Sequence, residues 1–170
     1  MDKEKYLSGP LRYFLLFLLI LWFLVLCKFI LFKHQAYVII NYFNNQFPAY
    51  TLEAGINSAN FVPFKSILSV IDNGLAYQYG IHNNWGNIIG FFPAGILLPV
   101  LFRRLQNAGN VILSLWLISL FFETIQLFTG LGIFDIDDLL LNCLGGMLGF
   151  FCWKFIIFRL FKHDTGKVHS

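Results

Sequence analysis

Residues 111–149 read VILSLWLISLFFETIQLFTGLGIFDIDDLLLNCLGGMLG, and the fold follows from how this stretch divides. Over 111–128 the run is apolar, with Glu123 its sole charged side chain. As a helix rising ~1.5 Å per residue it would span about 27 Å, close to the ~30 Å hydrocarbon core of a bilayer. Asp135, Asp137 and Asp138 occupy the next connection without a basic residue, and a second apolar run follows over 139–161. The pattern predicts two membrane-crossing helices joined by a short acidic turn.

Two further segments of the same kind lie upstream, at 11–32 and 85–102. Lys28 near the end of the first has a side chain long enough to snorkel to the interface. This first run exceeds the ~7–15 apolar residues of a signal peptide and no small-residue cleavage site follows it, so a retained helix is expected. Composition agrees. Of 170 residues, 58% are hydrophobic, 21 are Phe and only 12% are charged, against about 25% charged in a soluble domain. With a mean hydropathy of +0.68, polar surface is too scarce for a water-soluble globule. A soluble enzyme, a disordered chain and a nucleic-acid-binding module are excluded; the net charge of +3 is not gathered into a basic patch with interleaved aromatics. The expected architecture is an all-α polytopic bundle of four transmembrane helices, one domain over 1–170.

Basic residues set the expected orientation. Lys3, Lys5 and Arg12 precede the first helix, Arg103 and Arg104 separate the second from the third, and Arg159, Lys162 and Lys167 close the chain. The other side holds Lys33 and Lys65, with Lys28 just inside a helix end. Both termini are therefore expected on the cytoplasmic side. The outer segment 33–84 is too long for a simple connection and too apolar for a solvated loop. Within it, Phe64, Ile67, Leu68, Ile71 and Leu75 recur at helical spacing, which predicts one short interfacial or re-entrant helix over 64–77. Pro63 biases Val62 towards an extended backbone in the turn before it. The polar tail, 163–170, is expected to be mobile.

Few other groups invite chemistry. Cys27, Cys143 and Cys152 sit in apolar runs and read as packing residues, not as a disulfide framework or a metal site. His34 and His82 are isolated and read as loop residues, and the four tryptophans suit interface belts or packing. No cofactor or metal motif is present.

The polar residues inside the helices carry the functional expectation, because such residues face other helices or a cavity. Glu123 falls roughly 7–8 Å below the outer end of its helix, with Gln126 on the same face. Asp135, Asp138, Asn142, Gly145 and Gly149 lie at offsets of 0, 3, 7, 10 and 14, one helical stripe that is acidic outside and glycine-lined within. Asn87, Gly90 and Ala94 share a face of the second helix, and Asn83 and Asn84 suit its cap. Gly86 with Gly90, and Gly145 with Gly149, form small-xxx-small pairs that let helices approach closely. The expectation is a polar pocket on the extracytoplasmic side, with Glu123 at its floor. Asp137 lies off the stripe and reads as a cap or a solvated residue.

Four ordered motifs also resemble one family. They are Asn60-Phe-Val-Pro63-Phe64-Lys65; the Gly86–Pro99 stretch GNIIGFFPAGILLP; Glu123-Thr-Ile-Gln126; and FDIDD, 134–138, followed by NCLGGMLG, 142–149. Together they resemble the signature of the VanZ-like family of small bacterial membrane proteins, named after a teicoplanin-resistance determinant. The resemblance covers 60–149 and adds Asn60 to the candidate pocket residues. It departs from the family at Gly132-Ile133, where many members carry an Arg. It implies a multi-pass protein of the bacterial cytoplasmic membrane that lowers susceptibility to teicoplanin-type antibiotics by binding or altering an envelope component.

The partners so implied are membrane lipids and either a lipid-linked envelope precursor or an amphiphilic antibiotic, with no nucleic acid. The alternative is a membrane-embedded enzyme acting on a lipid or its headgroup, with Glu123 as general base and Asp135 and Asp138 holding a divalent cation. No nucleophile–base pair or phosphate-binding loop supports it. A proton-coupled exporter switched by Glu123 is a minor reading, since no internal repeat suggests alternating access.

Overall fold

The computed structural model describes residues 9–31, 36–46, 50, 52–73 and 78–165. Four of its helices are long and apolar enough to cross a membrane: α1 (Gly9–Ile30), α5 (Gln78–Leu101), α6 (Ala108–Thr129) and α7 (Ile136–Thr165). The apolar crossing windows within α5 and α7 are His82–Leu101 and Ile136–Ile156. Among the described residues there is no β-strand; Asn60 and Asp135 form one isolated bridge. The chain is thus an all-α, multi-pass membrane bundle.

Helix ends follow local chemistry. Asn107 caps α6, its side chain accepting the Gly109 N–H at 2.9 Å. Gly130 ends the same helix at φ 65°, a left-handed conformation that glycine adopts without penalty, and returns its N–H to the Gln126 carbonyl. Two other carbonyls in this last turn would lack intrahelical partners. The Tyr50 hydroxyl donates to Leu127 O at 2.7 Å and the Tyr42 hydroxyl donates to Thr129 O. Burial raises the Tyr42 phenol above its ordinary pKa, and nearby Tyr50 raises it further.

The two tyrosines belong to the outer segment, which is more structured than its sequence suggests. In place of one short helix it holds α2 (Ala36–Asn41) with a π-helical turn (Tyr42–Gln46), α3 (Leu52–Ser58) and α4 (Lys65–Asn73). Periodicity located α4 but not α2 or α3, six and seven residues long, because so few turns carry little periodic signal. The expected continuation of α4 over 74–77, His34, and tail residues 166–170 lie outside the described residues. Both later boundaries also move. α5 starts at Gln78, so Asn83 and Asn84 lie within its first turns and do not cap it. α7 starts at Ile136 and runs to Thr165.

The tightest seam runs between α5 and α7. A Cβ at Gly145 would overlap the Ile88 carbonyl, one at Gly149 the Phe92 carbonyl, and one at Gly95 the Gly146 carbonyl. Backbone meets backbone along this seam, which small residues alone permit. Gly86 takes no part, since nothing stands within 4 Å of where its Cβ would be, and Gly90 approaches Leu26 of α1. The paired glycines of α5 therefore do not mirror those of α7, and Gly95 does that work. Phe91, Leu115, Phe122 and Phe150 fill the centre. α1 joins through Trp22 and Leu26, and Trp22 Nε1 donates to Gly90 O at 2.7 Å. Most of its other large side chains, such as Phe14, Phe17 and Ile20, are exposed and face lipid.

Gly149→Val should therefore force α5 and α7 apart and destabilise the fold by more than the roughly 1–3 kcal/mol of ordinary overpacking. Gly86→Ala should leave it unchanged. Thermal unfolding of the detergent-purified proteins, followed by tryptophan fluorescence, separates the two.

Candidate functional site

α6 ends, and α5 and α7 begin, at the same end of the bundle, opposite the Arg103–Leu105 connection. A cavity of about 560 Å³ opens there. Its lining includes every expected pocket residue: Asn60, Asn87, Glu123, Gln126, Asp135, Asp138 and Asn142. Lys65, Ser66, Asn83 and Asn84, which sequence reasoning did not place in the pocket, also line it. Asn83 and Asn84 read as a cap and Lys65 as a topology marker and the end of the Asn60–Lys65 motif; distance along the chain hides all three from the stripe.

The carboxylates are held in sequence. Glu123 is 2% exposed and accepts the Asp135 N–H at 2.9 Å. Asp135 accepts the Asp137 N–H at 2.9 Å, the Asn60 side-chain amide at 2.8 Å and the Ser66 hydroxyl. Asp138 accepts from Asn83 Nδ2 at 3.1 Å. Asn60 is further fixed by its backbone, which receives the Ile136 N–H at 3.0 Å and donates to Phe134 O at 2.8 Å. This is how a residue from the outer segment reaches the helical stripe.

Asp137 corrects the sequence expectation. It is neither solvated nor the cap of its own helix, being fully buried with its carboxylate turned onto α4. It accepts N–H groups from Phe64 at 2.5 Å, Ser66 at 2.7 Å and Ile67 at 3.2 Å. A negative charge on the unpaired N–H groups of a helix start is favourable. The same contact holds Phe64 at φ 68°, a conformation unfavourable for a bulky residue.

Among the described residues three buried amide atoms have no protein partner: Gln126 Oε1, Asn142 Oδ1 and Asn87 Nδ2. The other ends of two are anchored, Asn142 Nδ2 donating to the Ser119 hydroxyl at 2.8 Å and Gln126 Nε2 to the Ile30 carbonyl at 3.3 Å. Buried polar atoms are usually paired, so these three are exceptions in an otherwise satisfied interior.

The VanZ/LLP1 family profile matches residues 14–159. The chain belongs to that family. It is also 31% identical to Protein VanZ of Enterococcus faecium over 132 residues, spanning 78% of this chain and 68% of that protein. No solved structure matches.

Gly132 and Ile133 precede the acidic turn. A Cβ at Gly132 would overlap the Gln126 side-chain amide, and Ile133 is exposed. A large side chain at 132 would have to displace Gln126. Lys65 brings a cation to the cavity. Asp135 and Asp138, the pair expected to hold a divalent cation in the alternative reading, both line this cavity.

Asp137→Ala should leave three N–H groups without their acceptor and cost at least about 3 kcal/mol, since hydrogen bonds to charged groups contribute ~1.5–3 kcal/mol each. Hydrogen exchange should accelerate by two orders of magnitude or more at the Phe64, Ser66 and Ile67 amides, while the α5–α7 seam retains its protection.

Proposed function

We propose that this VanZ-like protein lowers susceptibility to teicoplanin-type antibiotics by holding the polar part of an amphiphilic envelope component, or of the drug itself, in the cavity at the outer end of the bundle. The observation that carries this reading is the gathering of Glu123, Gln126, Asp138, Asn142, Asn87 and Lys65 in the lining of one cavity. A ligand with hydroxyl, amide or ammonium groups finds there partners that lipid tails do not offer. Glu123 and Asp138 supply negative charge and Lys65 positive charge, which suits a head of mixed polarity.

The cytoplasmic membrane and the orientation are part of the same proposal. Arg103 and Arg104 lie at the end of α5 and α6 opposite the cavity. Under the positive-inside rule that end is cytoplasmic, so the cavity faces outward and both termini lie inside. A single cysteine replacing Arg104 in a background with Cys27, Cys143 and Cys152 changed to Ala should react with a membrane-impermeant maleimide only after cells are opened. Labelling in intact cells would reverse the topology and with it the outward cavity.

Glu123→Gln tests the binding reading with little structural disturbance, because the amide oxygen still accepts the Asp135 N–H. Cells expressing it at wild-type levels should be as teicoplanin-susceptible as cells without the protein. Full protection by this variant would reject the reading.

A further inference from the structure

The sequence offers no nucleophile–base pair, but the fold makes one. Ser66, in the first turn of α4, and Asp135, just before α7, are 69 residues apart and both line the polar cavity. The Ser66 hydroxyl donates to Asp135 Oδ2. The carboxylate divides its partners unequally. Oδ1 takes the Asn60 side-chain amide at 2.8 Å and the Asp137 N–H at 2.9 Å, whereas among the described residues Oδ2 takes the hydroxyl alone. Asn60 Nδ2 also donates to Ser66 Oγ at 3.1 Å, and the Val62 N–H on Asn60 Oδ1 fixes which way that amide points. The Ser66 backbone is held in turn, its N–H on Asp137 at 2.7 Å. A hydroxyl bonded to a base that further donors orient is the arrangement that turns serine into a nucleophile.

The charges in the lining select the electrophile. Glu123, Asp135 and Asp138 contribute carboxylates, and among the described residues Lys65, next to the serine in sequence, is the one cation. A phosphodiester anion would meet three like charges. A carboxylic ester is neutral, and its carbonyl oxygen becomes negative only as the serine attacks, when the Lys65 ammonium offers a counter-charge. The cavity also meets an apolar slot of about 470 Å³ between α1 and α5, whose lining includes Trp22, Leu26, Gly90 and Pro93; Asn83 and Asn87 line both. Polar and apolar space thus adjoin, as the two parts of an amphiphile require.

We propose that Ser66 and Asp135 form a catalytic pair that hydrolyses a carboxylic ester of an amphiphile. Ser66 Oγ bonds to the carbonyl carbon while its proton passes to Asp135 Oδ2. The bond from that carbon to the alcohol oxygen then breaks, and the departing oxygen takes the proton. Water repeats the sequence on the acyl-serine: it gives a proton to Asp135, bonds to the carbonyl carbon and releases Ser66 Oγ, which recovers the proton. Ester and water become carboxylic acid and alcohol. This goes beyond the binding reading and stands whether or not the cavity protects against teicoplanin.

The test uses the full chain in lipid nanodiscs and a fluorophosphonate with an alkyl chain, a neutral probe that loses fluoride to an activated serine. Mass spectrometry of the digested protein should place the phosphonate on Ser66 and not on Ser58, which lines the same cavity. Asp135→Asn keeps an oxygen for the Asn60 and Asp137 donors but takes no proton, and should slow labelling about a hundredfold or more. Wild-type protein should also hydrolyse p-nitrophenyl octanoate, and Ser66→Ala should fall to the rate of empty nanodiscs. Where Ser66→Ala fails to fold, the mapped serine and Asp135→Asn decide. No phosphonate on Ser66 in folded wild-type protein, undiminished labelling of Asp135→Asn, or cleavage of bis(p-nitrophenyl) phosphate in place of the ester would each overturn the proposal. Teicoplanin susceptibility separates it from the binding reading. If Glu123→Gln sensitises cells while Ser66 is inert to the probe, hydrolysis is refuted and the binding reading survives. If Ser66 reacts while Glu123→Gln still protects fully, the binding reading fails and hydrolysis stands.

Discussion

The fully buried carboxylate of Asp137 is the contact on which the outer half of the molecule depends. A charge removed from water is tolerated only when its oxygens are saturated, and here three backbone N–H groups at the start of α4 saturate them. The arrangement then propagates. Asp137 offers its own N–H to Asp135, Asp135 offers its N–H to Glu123, and Asp135 also gathers Asn60 and Ser66. One line of acceptors thereby ties α6, the acidic turn, α7 and the loop before α4. Glu123 and Asp135 each take the backbone N–H of the next acidic residue in the chain, whereas Asp137 takes those of Phe64, Ser66 and Ile67 far upstream. The wall of the cavity and the fold of the turn are the same set of bonds.

The opposite wall is set by a different constraint. Lipid tails are as apolar as leucine, so helices in a bilayer gain little from burying apolar side chains against each other and rely on close packing. Gly95, Gly145 and Gly149 permit that approach by leaving no Cβ where the two backbones meet. The seam brings Asn87 and Asn142 to the same cavities, while α1 stands off α5 except around Trp22, Leu26 and Gly90. A tight seam beside a loose one produces the slot.

Much of this was legible because polar residues are scarce in the chain. In a run such as 111–128 a single carboxylate has few explanations, and the spacing of Asp135, Asp138 and Asn142 fixes their common face. What was not legible depends on partners remote in sequence. Asp137 lies two positions from Asp135 and so falls off the stripe, and its partners are about seventy residues upstream. Asn83 reads as a cap because its real acceptor, Asp138, is 55 residues away. Gly86 and Gly90 satisfy a motif whose packing role falls to Gly95, since the motif specifies small residues but not which face meets which helix. The apolar slot had no signal, because a gap between helices is lined by the same residue types as a packed seam.

The slot and the polar cavity must contribute differently to any binding. A hydrocarbon chain moving from bilayer to slot leaves one apolar medium for another, so the usual ~25 cal/mol per Å² of burial does not apply. The slot selects for shape and depth but supplies little affinity. The polar cavity behaves in the reverse way. A buried polar group left unmatched costs about 1–3 kcal/mol, so an amphiphile whose head carries donors and acceptors would draw its affinity from the polar cavity, while its hydrocarbon chain, which the protein meets on the same terms as lipid, would add little.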